Sequence, residues 1–131
     1  MTLILADHNI AGYVALFAGT FHSEGWSELF PVRFVTFKEA GLPCNSSDRS
    51  VWKFAQSNQM MLLTDNRNAK RADSLEETLR QENTPASLPV LTIGNINRMT
   101  EREYRERCAA RLAEIIDNLE NYMGASRLYI P

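Results

Sequence analysis

Met60-Met61-Leu62-Leu63-Thr64-Asp65-Asn66-Arg67-Asn68 decides how this chain is read. An apolar run stops at Thr64-Asp65, and polar residues follow. That pattern predicts a buried parallel strand over 60–64 delivering a carboxylate to its C-terminal edge, where open α/β sheets hold their sites. Leu3-Ile4-Leu5-Ala6, followed by Asp7-His8-Asn9, has the same form. If the two strands are neighbours, Asp7 and Asp65 stand side by side.

Outward from these two strands, helical and extended patterns alternate. Asn9 fits an N-cap, and Ile10, Tyr13, Val14, Phe17 and Phe21 recur at helical spacing to about Ser23. Gly25 and Pro31 punctuate the link to a β-branched and aromatic strand, Val32 to Phe37. A single helical turn over Lys38 to Gly41 is expected next, closed by Gly41 with Pro43 behind it. Ser47 is a good N-cap for a helix over 48–58 with Val51, Trp52, Phe54 and Ala55 inward, which sets Asp48 in its first turn. Residues 65–73 are polar and partly basic. Ser74 and Glu77 fit a capping box for a short helix to about Gln81. Leu88 to Ile93 reads as a fourth strand with Pro89 at its start. Thr100 and Glu103 fit a second capping box. Tyr104, Cys108, Leu112, Ile115, Leu119 and Tyr122 then form one apolar stripe, with Gly124 as its C-terminal stop. Arg127 to Ile130 is a candidate last strand.

This order predicts one α/β domain over residues 1–131. It is a three-layer α/β/α sandwich around a mainly parallel sheet of four or five strands with right-handed crossovers.

Composition narrows the function classes. The 131 residues carry a net charge of -2, so there is no global basic field to draw in nucleic acid; any such contact needs a local patch. Cys44 and Cys108 are the only cysteines and lie outside any metal-binding spacing. With only His8 and His22 as histidines, zinc is disfavoured. No apolar stretch approaches the ~20 residues of a membrane span, and no basic segment precedes an apolar run at the N-terminus. A cytoplasmic protein is the expectation. No glycine-rich phosphate loop and no nucleophile elbow is present.

Asp7, Asp48 and Asp65 form a candidate carboxylate cluster. Three carboxylates held close repel one another, and a hard divalent cation relieves that conflict. Mg²⁺ or Mn²⁺ suits oxygen ligands, and such a site can activate water against a phosphodiester. Asn9, Thr64, Arg67 and Asn68 would stand behind the carboxylates, orienting water or contacting phosphate. Arg67, Lys70 and Arg71 would add local positive charge. Each aspartate also has an ordinary reading, as an Asx-turn, an N-cap or a partner of a helix dipole.

The ordered set of motifs resembles the PIN-like superfamily, particularly its small members of unknown function. The matching pieces are Asp7-His8-Asn9 after the first strand, Val32 to Phe37, Glu39-Ala40-Gly41-Leu42, Ser47-Asp48 and Leu62-Leu63-Thr64-Asp65. They keep order and spacing over roughly residues 1–95. The resemblance implies a metal-dependent nuclease fold related to bacterial toxin ribonucleases, with Asp7, Asp48 and Asp65 as the metal-binding acids. It also implies an RNA substrate and, for a toxin, an antitoxin protein as partner. One departure stands out. The family places another acid a few residues later, where this chain has Asn68; Asp73 or Glu76 is a candidate substitute.

Two functions follow as expectations. One is a metal-dependent endoribonuclease, with the toxin of a toxin–antitoxin pair as its narrower form. The other is a non-catalytic PIN-like module that binds a protein partner or RNA, favoured by the missing acid and the acidic pI of about 5.7. A phosphotransfer receiver-like reading lacks the acidic pair and the lysine it needs. Trp26, Phe30 and Tyr129 are candidates for a homodimer surface, or for core.

Overall fold

A computed structural model describes residues 1–66 and 74–131. Five strands form one all-parallel sheet: β1 (Thr2–Ala6), β2 (Val32–Val35), β3 (Met60–Thr64), β4 (Val90–Ile93) and β5 (Arg127–Ile130), in the order β2-β1-β3-β4-β5. The three-layer α/β/α expectation holds, with the last strand present. The chain runs outward from β1 to β2, then crosses back to β3. The sheet therefore reverses its winding between β1 and β3, where a crevice opens at the carboxyl edge.

Side chains alternate between the two faces of each strand, and the alternation sorts the core. Ile4, Met61, Leu63, Leu91 and Ile93 pack against α1 (Ala11–Ser23) and α6 (Arg102–Asp117) through Phe17, Phe21, Cys108, Leu112 and Ile115. Leu5, Leu62 and Val90 point the other way, into a second cluster with Val51, Trp52 and Ala55 of α4 (Asp48–Ser57) and Leu75 and Leu79 of α5 (Leu75–Glu82). Both faces are covered, which is why these strands read as continuous apolar runs.

Several local expectations change. β2 ends at Val35 because Thr36 caps α3 (Phe37–Ala40), with the Thr36 hydroxyl accepting from Glu39 N and the Glu39 carboxylate accepting from Thr36 N. The hydrogen bonds that the Glu39 carboxylate accepts from Thr36 N and from the Thr36 hydroxyl hold it below its usual range. Asn9 does not cap α1. Asp7 instead caps a 3-10 turn over His8–Ile10, and the α-helix starts after it at Ala11. The capping box expected at Thr100 and Glu103 does not form; Thr100 donates to Asn97 O, and α6 begins with no side-chain cap. The apolar stripe is interrupted at Asn118, whose side chain donates to Glu114 O, and a short α7 (Leu119–Tyr122) follows. Gly124 does stop the chain there: its φ of 83° is left-handed, and a Cβ would come within 2.8 Å of the Pro85 backbone. Trp26 and Phe30 lie half-buried against the α1–α6 core, whereas Tyr129 is exposed. α2 (Trp26–Leu29) carries the tryptophan. Among the described residues, no helix is long and apolar enough to cross a membrane.

Candidate functional site

At the β1/β3 crevice lies a cavity of about 80 Å³. Asp7, His8 and Asn9 line it from the end of β1. Cys44, Ser46 and Asp48 line it from the loop entering α4 and from that helix's first turn, and Asn66 from beyond β3. Phe37, Val51, Leu62 and Leu75 close its apolar side. Asp7 and Asp48 thus line one cavity.

Asp65 does not line this cavity; Asn66 does. The register explains the difference. Ala6 pairs with Leu63, so the next pair sets Asp7 beside Thr64. Leu5 and Leu62 face α4 and α5, and a period of two keeps Asp7, Thr64 and Asn66 on that side. Asp65 falls on the alternate phase and is half-buried. A reading that stops at the first polar residue after the strand arrives at Asp65, which does not line the cavity. Counting the phase from Leu62 finds Asn66.

Each carboxylate is held in place. Thr64 Oγ1 donates to Asp7 Oδ2 at 2.6 Å, and Asp7 N donates to Leu63 O at 2.9 Å. Oδ1 of Asp7 accepts only a long 3.5 Å contact from Asn9 N. Asp48 Oδ2 accepts from Asn66 Nδ2 and from Leu75 N, both at 3.0 Å, so this aspartate also links α4 to the start of α5. Oδ1 of Asp48 accepts no hydrogen bond among the described residues. Ser47 caps α4 by accepting from Ser50 N, and Ser74 caps α5 by accepting from Glu77 N. Arg49 and Lys53 of α4 both pair with Glu82 of α5, fixing the two helices against each other.

Behind the cavity, Arg127 donates to Asn66 O, and its guanidinium pairs with Glu76. Glu76 is therefore engaged by an arginine and does not line the cavity as a substitute acid. His8, which the sequence reading gave no role, stands at the rim with its ring 6.0 Å from that of Phe37. Arg67 and Asn68, with Lys70, Arg71 and Asp73, lie outside the described residues.

The donor set fits a single hard cation. Two carboxylates and neighbouring carboxamide oxygens are oxygen ligands, and Mg²⁺-type sites commonly use one or two carboxylates with water completing the shell. Among the described residues, no three acidic, histidine or cysteine groups converge.

The fold and site define a doubly wound parallel α/β domain with a carboxylate-lined crevice at its switch point. No family model, no curated protein and no solved structure matches this chain.

Proposed function

We propose that the β1/β3 crevice is a divalent-cation site for phosphodiester hydrolysis, with RNA as the substrate class. The observation that carries this reading is the convergence of Asp7 and Asp48 in one cavity at the carboxyl edge. Each has Oδ2 tied to the protein, while Oδ1 of Asp48 accepts no hydrogen bond among the described residues and Oδ1 of Asp7 accepts only the long one from Asn9 N. When bound there, a divalent cation supplies Lewis acidity toward water and phosphate oxygens. The chain's own residues do the rest. Asp7, fixed by Thr64, and Asp48, fixed by Leu75 N and Asn66, would hold such a cation at a set place. Asn9, Asn66 and His8 line the same cavity and supply polar groups to contact water or phosphate. The choice of RNA, and of an antitoxin as protein partner, rests on the PIN-like resemblance of the ordered motifs. The test is cleavage of single-stranded and structured RNA with Mn²⁺, comparing the unsubstituted protein with Asp7→Asn and Asp48→Asn. Cleavage that survives both substitutions sinks the proposal.

A second reading has its own observation. Asn66 is a neutral carboxamide that already donates to Asp48, so the crevice holds less negative charge than a cluster of three acids. A non-catalytic module that binds a partner is consistent with that. Mn²⁺ separates the two: a protein that gains no thermal stability from it supports the binding module.

A further inference from the structure

We infer that Arg127 is a positioning residue for the Asp7–Asp48 site, acting through Asn66; its consequence for cations rests on the reading above. Arg127 opens β5 opposite Val90, so its side chain shares the face of the sheet that packs on α5. Its side chain is only 9% exposed. A buried guanidinium is costly unless its donors are met. Here Nε donates to Glu76 Oε1 at 2.7 Å, while Nη1 donates to Thr92 Oγ1 at 2.6 Å and to Asn66 O at 2.8 Å; Nη2 is ion-paired with Glu76 but makes no hydrogen bond among the described residues. The planar fork thus spans β5, β4, α5 and the chain just beyond β3.

Asn66 lies past the end of β3, and from it two paths lead to the carboxylates. Its side chain donates to Asp48 Oδ2 at 3.0 Å. Its backbone N donates to Thr64 Oγ1 at 3.0 Å, and that hydroxyl donates to Asp7 Oδ2 at 2.6 Å. Fixing the Asn66 carbonyl therefore sets the orientation of both aspartates. A lysine at 127 keeps the charge but cannot reach Glu76 and the Asn66 carbonyl together in the same plane. Arg127 sits on the last strand, about sixty residues downstream of Asn66, where no local motif advertises it.

The experiment compares Arg127→Lys with Leu128→Ala, a control on the same strand whose side chain packs on the opposite face. Two quantities are measured: the Asn66 side-chain amide resonances by NMR without metal, and Mn²⁺ affinity by calorimetry. Arg127→Lys is expected to displace the Asn66 resonances and to weaken Mn²⁺ by roughly tenfold or more, the usual effect of losing a group that orients a ligand. Leu128→Ala is expected to lower the melting temperature and change neither. Asn66 resonances that stay in place in Arg127→Lys, or move equally in Leu128→Ala, overturn the inference. Should Arg127→Lys not fold, Glu76→Gln loosens the guanidinium while keeping the shape of its partner, and the same displacement is required of it. If the unsubstituted protein takes up no Mn²⁺, the cation reading falls by itself. The Asn66 resonances then still decide whether Arg127 positions the crevice.

Discussion

Toward α1 and α6 the sheet presents Ile4, Met61, Leu63, Leu91 and Ile93, all apolar and buried. Toward α4 and α5 the same strands present Leu5, Leu62 and Val90, and then, nearer the carboxyl edge, buried Thr64 and Thr92. The first face needs only shape to be satisfied, because apolar burial is non-directional. The second needs a partner for each polar group. It finds them in the Thr64–Asp7, Arg127–Thr92 and Arg127–Glu76 bonds. A network of this kind adds little net stability per bond but permits one arrangement of its members. Both faces thus bury apolar core, and the second also supplies the geometry of the crevice.

Breaking the polar face should have the largest effect on activity. Asp7→Asn and Asp48→Asn are each expected to abolish Mn²⁺-dependent RNA cleavage and the Mn²⁺-induced rise in melting temperature, while Asp65→Asn retains both. An Asp65→Asn as damaging as Asp48→Asn would mean that the site draws on both faces. On the dry face, Leu112→Ala removes a fully buried side chain. It should cost about 3 kcal/mol in denaturant unfolding, with Mn²⁺ affinity of the folded protein unchanged. Ser47→Ala tests the join between helix and site. Loss of its cap on α4 should cost about 1 kcal/mol and weaken Mn²⁺ measurably, because Asp48 is the next residue.

The two thiols sharpen the same contrast with a smaller effect. Cys44 is exposed beside the crevice, and Cys108 is buried in the α1–α6 core. Burial pushes the Cys108 thiol up to about 12. The folded state keeps a proton that the unfolded chain releases from pH near 9 upward, so this contribution is complete below pH 9 and is lost as pH rises toward about 12. A thiol reagent at neutral pH should modify Cys44 quickly and Cys108 only at the rate of unfolding. Cys108→Ser should flatten the alkaline decline in stability.

The two strand endings show how far local pattern reaches. Both were legible because an apolar run meeting Asp is a local signal. Which residue after β3 lines the cavity was not legible, because strand phase relative to α4 depends on which residues the other elements cover. Helix starts show the same limit: Ser47 and Ser74 cap as expected, whereas Thr100 gives its hydroxyl to Asn97 O in a preceding 3-10 turn. A side chain near a helix start has several acceptors within reach, and the path of the incoming chain selects one.

By itself the sequence determined the alternation of strands and helices, the parallel sheet and the carboxylates at its edge. Those follow from hydrophobic period and chain connectivity, which act over a few residues at a time. Only the tertiary structure decided that Asn66 enters the crevice in place of Asp65, that Glu76 is bound by an arginine, and that Arg127 stands behind both aspartates. Each of these depends on register between strands distant in sequence. A shift of one residue there moves every side chain to the other face.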